Sequence, residues 1–127
     1  MSKPIIYVDQ SNVREGKFEA LKEAMDELIE FIDANEPRLI AYDVYFSEDQ
    51  TRMTVVHIHF DSESLAFHME VAGHLFPKFA EFVQIQTVDI YGEPDEALVK
   101  RLQEKARMLG NGTVRIHGRY GGLDRFS

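Results

Sequence analysis

The stretch that decides the fold of this chain is TVVHIHFDSESLAFHMEVAGH, residues 54–74. Its first part is rich in β-branched residues, which is typical of a β-strand. Asp61 or Ser62 can then cap a helix, with Glu63 in its first turn. The segment therefore predicts a strand that leads directly into an amphipathic helix. It also holds four of the chain's five histidines.

The remaining sequence divides into elements of the same kinds. Apolar residues recur at three- and four-residue steps from Phe18 to Ile32, which predicts a helix, and Pro37 ends it. Gly73 and Pro77 are expected to break the helix that begins near residue 62. Strands are predicted at residues 4–9, 39–46, 53–60, 84–91 and 113–120, and helices at about residues 16–35, from residue 62, and around residues 98–109.

The first six elements follow the order β-α-β-β-α-β, which is the order of the ferredoxin-like fold. The sequence thus predicts an α+β protein with one antiparallel sheet, both main helices on one face, and a C-terminal α-β extension. A chain of 127 residues is normally one domain. We expect a single domain over residues 1–127, with the ferredoxin-like core at 1–91 and the extension at 92–127.

Helices are expected to cover one face of this sheet and to leave the other face open. We expect Met53 and Val55 on the open face, with Leu39 or Ile40 from the neighbouring strand. An apolar face of this kind seldom stays in contact with water. The sequence therefore predicts a homodimer in which two subunits pair sheet to sheet.

The composition argues against several classes of protein. Cysteine is absent, which excludes disulfides, thiolate metal sites and cysteine nucleophiles. No apolar run approaches the roughly 18 residues that a membrane helix needs. The first nine residues also lack the apolar core of a secretion signal. We therefore expect a cytoplasmic protein with no membrane partner.

Charge is distributed unevenly along the chain. Residues 1–99 hold 7 basic and 20 acidic side chains, a net charge of −13, whereas residues 100–127 hold 7 basic and 2 acidic, a net charge of +5. The overall negative field would repel phosphates, so no nucleic-acid partner is expected. The basic extension either presents a solvated face or packs on the acidic body, within one subunit or across a dimer.

His57 and His59 lie two residues apart on a strand and therefore share one face. This spacing occurs among metal ligands, with Asp43 or Asp89 as a possible third ligand from a neighbouring strand. No cysteine and no Glu-x-x-His motif accompanies the pair. We favour histidines that make interior hydrogen bonds or line a dimer contact, and we predict no metal site.

His68 borders the apolar stripe of the second helix. A neutral imidazole at this position can accept a proton from a ligand, or it can be a satisfied histidine at the edge of the core. Tyr7 and Asp9 share one face of the first strand, and Tyr42 or Tyr45 would approach them across the sheet. These groups suit a phenol or enol substrate, and they equally suit a buried hydrogen-bond network.

The element order resembles the antibiotic-biosynthesis-monooxygenase-like superfamily of dimeric α+β barrels. The similarity rests on residues 38–42, 57–62 and 65–69 and covers residues 4–91. It implies a homodimer joined through its sheets. Some members are cofactor-free monooxygenases of polycyclic phenols or quinols, some degrade haem, and many have no assigned activity.

The resemblance also implies a pocket. A polar residue on the first strand, an aromatic residue after the third strand and a helical histidine surround it in the family. These positions correspond to Asp9 or Tyr7, to Phe60 and to His68. Many members carry tryptophan in place of Phe60. Haem-degrading members carry asparagine where this chain has Asp9, and a buried carboxylate there suits haem poorly.

The predicted function is cofactor-independent, monooxygenase-like processing of a small aromatic or quinol-type metabolite. In this prediction His68 handles protons, and Tyr7, Asp9 and Phe60 bind the substrate. The alternatives are a non-catalytic dimer that binds a small molecule or serves a stress response, and isomerase or decarboxylase chemistry on a similar scaffold. Oxygen uptake with quinols separates catalysis from binding alone.

Overall fold

The computed structural model describes residues 3–125, which form one five-stranded sheet and three α-helices. Short 3₁₀ turns at Gly73–Leu75 and Pro77–Glu81 follow the second helix, where the breaks were predicted. The strands are β1 (Ile5–Val13), β2 (Leu39–Phe46), β3 (Arg52–His59), β4 (Val83–Tyr91) and β5 (Thr113–His117), and the helices are α1 (Phe18–Asn35), α2 (Ser62–Ala72) and α3 (Glu96–Met108).

The strand order across the sheet is β2-β3-β1-β4-β5. The first four strands in sequence pair antiparallel with one another, with β1 between β3 and β4. This arrangement confirms the predicted ferredoxin-like α+β fold. Strand β5 forms the edge of the sheet and is parallel to β4. Helix α3 connects the two strands and returns the chain to the end of the sheet at which β4 begins. It ends at His117, three residues before the predicted end.

Side chains alternate strictly across β1 and β3. Tyr7 and Asp9 are buried beneath the helices, whereas Ile6 and Val8 lie half-buried on the open face. The same alternation in β3 corrects one prediction. Met53 and Val55 were expected on the open face, but they are 4% and 3% exposed and lie in the core. They share the parity of His57 and His59, which turn toward the helices. Apolar residues of the open face include Ile6, Val8, Val56 and Ile58.

The C-terminal extension packs on the acidic body of its own chain. Asp95 caps α3 by accepting a hydrogen bond from the Leu98 amide at 2.8 Å. Arg115 of β5 donates two hydrogen bonds to Asp89 of β4, at 2.7 and 2.9 Å. Three apolar residues of α3, namely Leu98, Leu102 and Ala106, are at most 1% exposed. Of the helices described, none is both long enough and apolar enough to span a bilayer.

Candidate functional site

A buried polar cluster lies between the sheet and the helices. Burial of charged and polar groups costs free energy unless they are paired, so such a concentration in a core this small requires an explanation. Its members come from β1, β3, α2, α3 and the end of α1. They are Tyr7, Asp9, Glu36, His57, His59, Ser64, His68 and Lys105, each no more than 8% exposed.

His68 and Glu36 form a dyad within this cluster. Glu36 follows the last residue of α1 and precedes Pro37, so the end of that helix fixes its position. Its carboxylate accepts a hydrogen bond from Nδ1 of His68, with distances of 2.8 and 3.0 Å to its two oxygens. Burial lowers the pKa of His68, while the bond to Glu36 opposes that shift. The result is a neutral imidazole whose Nδ1 proton is fixed and whose Nε2 can accept a proton.

Lys105, Tyr7 and Asp9 form a second group. Lys105 donates from Nζ to Tyr7 Oη at 2.8 Å, and the Tyr7 hydroxyl donates to Asp9 Oδ2 at 2.6 Å. The ammonium group lies 4.6 Å from the ring centre of Tyr7 and 4.4 Å from that of Phe76. Burial raises the pKa of Asp9, and Lys105 lowers it. Burial also lowers the pKa of Lys105, which Asp9 in turn raises.

His57, His59 and Ser64 form a third group, connected in series. His57 Nδ1 lies 2.7 Å from His59 Nε2, and His59 Nδ1 lies 2.8 Å from Ser64 Oγ. Burial lowers the pKa of His57, and it lowers that of His59 to about 3, so both rings are neutral. Tyr7 and Tyr42 lie on either side of the His57 ring, with centres 4.0 and 5.1 Å away.

Three buried atoms at the centre of the cluster have no hydrogen-bond partner within residues 3–125. They are Asp9 Oδ1, His57 Nε2 and His68 Nε2. The His57 and His68 ring centres are only 4.7 Å apart, and Asp9 lies on the strand next to His57. An unsatisfied buried polar atom costs about 1–3 kcal/mol, so native proteins keep few of them. Each of these atoms is a position to which a hydroxyl group of a ligand can bind.

The space around these atoms is small in this conformation. Of the three residues, Asp9 lines an internal cavity of about 40 Å³ together with Tyr42 and Lys105, whereas His57 and His68 do not line it. Two larger clefts, about 370 Å³ each, reach Glu36 from outside. One lies between α1 and β2, and the other lies beside the start of α2. A ring-sized ligand therefore needs side chains between a cleft and the cavity to move aside.

The structure brings together three of the four predicted site residues, namely His68, Tyr7 and Asp9. Phe60 is different. It continues the half-buried positions of β3, opposite in parity to His59, and shares no aromatic ring contact with the other three in the part of the chain described. A role for Phe60 stays a prediction. Tyr42 lies beside the cluster, with its ring stacked 5.1 Å from that of His57, whereas Tyr45 is 56% exposed.

The metal-ligand alternative for His57 and His59 is not supported in its proposed form. Asp43 pairs with Val56 and Asp89 with Val8, so both carboxylates belong to the open face. Asp89 is bound there by Arg115 and His117. Among residues 3–125, no three histidine, cysteine or carboxylate side chains are placed to hold a metal ion together.

Sequence reasoning missed Glu36, Ser64 and Lys105. Lys105 offered a signal, because it lies three residues after Leu102 and four before Leu109, inside the apolar stripe of α3. In the structure this lysine is 8% exposed, and its ammonium group donates to Tyr7 Oη. Glu36 offered no comparable signal, because a glutamate at the end of a helix before a proline is normally exposed to solvent.

Comparisons with known proteins place the fold. No family model matches the sequence, and no curated protein matches it. Among solved structures, MupZ from Pseudomonas fluorescens is similar with a TM-score of 0.74 and 17% identity, over 98% of this chain and 91% of that one. This match spans nearly the whole chain and so includes α3 and β5.

Two other solved structures carry informative names. The "putative antibiotic biosynthesis monooxygenase" from Nitrosomonas europaea is 23% identical with a TM-score of 0.63, over 73% of this chain and 92% of that one. SnoaB from Streptomyces nogalater, a cofactor-independent oxygenase solved as a point mutant, is 9% identical with a TM-score of 0.61, over 72% and 94%. The chain therefore shares the fold of these solved structures.

Proposed function

We propose that this protein is a cofactor-independent, monooxygenase-like enzyme that acts on a small aromatic or quinol-type metabolite. The observation that carries the proposal is the His68–Glu36 dyad. It combines a buried imidazole, a carboxylate that fixes its Nδ1 proton, and an Nε2 atom without a partner among the described residues. This is the arrangement of an oriented general base.

A base is the main requirement for such a reaction. When a phenol or quinol loses a proton, its ring becomes electron-rich enough to reduce dioxygen itself. In an anthrone, which loses the proton from its ring CH₂ group, oxidation of that group by O₂ then gives a carbonyl group and one water. A simple hydroquinone gives a quinone and hydrogen peroxide. In both cases the substrate supplies all the electrons. In this scheme His68 Nε2 takes the proton, and Glu36 stabilises the imidazolium that forms.

The other unpartnered atoms fit the same class of substrate. Asp9 Oδ1 accepts hydrogen bonds only, and His57 Nε2 accepts them in one of its tautomers. A ligand with two or more hydroxyl groups can satisfy several of these atoms at once. Tyr7 and Tyr42, on either side of His57, supply aromatic surface for a ring.

Oxygen consumption with a panel of hydroquinones and anthrones tests the proposal. His68→Ala is expected to reduce turnover by roughly 10²–10⁴-fold, the usual effect of losing a general base. His74→Ala is the matched control, because that histidine follows α2 and is not buried. His57→Ala and His59→Ala, assayed with and without a chelator, test the metal-dependent alternative.

Two outcomes would contradict the proposal. One is oxygen uptake that His68→Ala leaves unchanged. The other is no uptake with any member of the panel while some members still raise the melting temperature. A ligand at 100 times its dissociation constant stabilises the folded state by about 2.7 kcal/mol, so the second outcome would identify a non-catalytic binding protein.

We also propose that the functional unit is a homodimer. The residues that support this are Ile6, Val8, Val56 and Ile58, which form an apolar patch on the open sheet face. Sheet-to-sheet pairing covers such a patch, and it leaves the helices and the buried polar cluster on the outer side of each subunit.

A further inference from the structure

Two hydrogen-bond chains lead outward from the buried polar cluster and end at one cleft. The first is the dyad, from His68 to Glu36. The second runs from His57 to His59 to Ser64, with contacts of 2.7 and 2.8 Å. Both Glu36 and Ser64 line the cleft of about 370 Å³ beside the start of α2, together with Pro37, Leu39 and Phe67. The proposed function uses only the first chain.

We propose that His57, His59 and Ser64 form a proton relay between the buried site and this cleft. The relay rests on the proposed function and deepens it, because it handles a second proton at the same site. His57 Nε2 is the inner end, buried and without a partner among the described residues. Ser64 Oγ is the outer end, and Asp61 holds the start of its helix by accepting from the Ser64 amide at 2.9 Å.

The relay has two states, because each imidazole carries one proton on either of two nitrogens. In the accepting state, His57 Nδ1–H donates to His59 Nε2, and His59 Nδ1–H donates to Ser64 Oγ. A substrate proton then binds His57 Nε2, the Nδ1 proton of His57 moves to His59, and the Nδ1 proton of His59 moves to Ser64. Ser64 releases its own proton to water in the cleft.

Both rings are neutral before and after this transfer, and only their tautomers have changed. The low pKa of His57 and His59 therefore does not hinder the relay, since no stable imidazolium is needed. The donating state returns a proton by the reverse path. Oxygenation of a CH₂ group removes protons from the substrate and places them in the water product, so one turnover can reset the relay.

The test uses the full chain with ¹⁵N-labelled histidine and needs no substrate. NMR measures the tautomer of His57 and His59 and the rate at which the His57 ring proton exchanges with water. Ser64→Ala removes the outer end, and we expect this exchange to slow by roughly tenfold or more, because the proton path to water in the cleft is interrupted; a tenfold slower rate corresponds to about 1.4 kcal/mol of added barrier. Ser64→Thr keeps a hydroxyl and should restore it. Ser62→Ala is the control on the same helical turn.

An unchanged His57 exchange rate in folded Ser64→Ala would overturn the relay. So would the absence, in the unmodified protein, of scalar coupling between His57 Nδ1 and His59 Nε2, because no proton would then lie between them. The second measurement does not depend on any variant folding. Oxygen uptake tests the proposed function separately, so failure of the enzyme proposal and failure of the relay give different results.

Discussion

Three histidine rings in this protein are completely buried, and at the scale of single residues they determine how it responds to acid. Burial lowers the pKa of His57, His59 and His68 below the value of about 6.5 that an unfolded chain has. Between the folded-state and unfolded-state pKa values, the folded state therefore binds fewer protons than the unfolded state. Their contribution to stability is complete above the unfolded-state pKa and is lost progressively as the pH falls toward the folded-state pKa, which is about 3 for His59.

We predict that the free energy of unfolding decreases as the pH falls from about 7 to about 5. Each buried neutral histidine contributes a slope of up to about 1.4 kcal/mol per pH unit below about pH 6. His59→Gln should reduce the slope by about that amount, as measured by urea unfolding at several pH values. Asp9 acts in the opposite sense, because its raised pKa makes the folded state bind a proton more readily.

His74→Gln provides the control for this measurement, since its side chain is not buried. A slope that His59→Gln leaves unchanged would mean that His59 is protonated in the folded state. That result would also contradict a neutral His57–His59 pair.

At the residue scale, the sequence predicted groups whose signal is local. His68 was predicted from its place beside an apolar stripe, and it is buried in the cluster. Tyr7 and Asp9 were predicted from alternation along one strand. Glu36 could not be predicted, because its partner lies 32 residues away and the contact forms only when α1 and α2 pack. Helical spacing says which face a residue occupies, but it does not identify a partner on another element.

At the scale of elements, α3 brings Lys105 to the cluster, and the turn after it controls how closely the extension approaches the sheet. The Ile85 amide donates to the Leu109 carbonyl at 2.7 Å, which joins the end of α3 to β4. Gly110 follows with a φ of +132°, which favours glycine. A Cβ on Gly110 would lie 2.7 Å from Gln84 Cγ and 3.0 Å from the Ile85 amide nitrogen.

Gly110→Ala is therefore predicted to lower the free energy of unfolding by about 1–3 kcal/mol, from backbone strain and overpacking. Gly118→Ala is the matched control, because a Cβ there meets no atom within 4 Å, and its effect should stay within about 0.5 kcal/mol. Urea unfolding of both variants gives the comparison. Equal stabilities would mean that the extension does not approach β4 this closely.

The order and type of the elements could be predicted because each has a strong local pattern. The hairpin of β2 and β3 and the capped start of α2 at Asp61 are both present. The face of each strand was harder to predict. Met53 and Val55 were expected on the open face, although they share the parity of His57 and His59, which face the helices. Helices α2 and α3 bury polar groups on the helix-covered face of the sheet. A pattern of apolar residues alone does not show which face the helices cover.

At the scale of the whole molecule, the proposed homodimer depends on the open sheet face. Val8 pairs with Val56 and Ile6 with Ile58, so the four side chains form one continuous patch at the centre of the sheet. They are half-buried in a single chain. A second copy can bury them symmetrically, in an interface on the order of 2,000 Å² or more in total.

Ile58→Asp places a carboxylate in this patch. Because the proposed dimer has twofold symmetry, its interface would contain two such carboxylates. An unpaired charge buried in an apolar contact is strongly unfavourable, so this variant should be a monomer or a much weaker dimer. Ile29→Asp is the control, because it adds the same charge to the exposed side of α1, where Ile29 is 37% exposed.

Light scattering at micromolar concentration should find a dimer for the unmodified protein and for Ile29→Asp. A monomeric unmodified protein, or an Ile58→Asp variant that remains fully dimeric, would contradict assembly through the sheet.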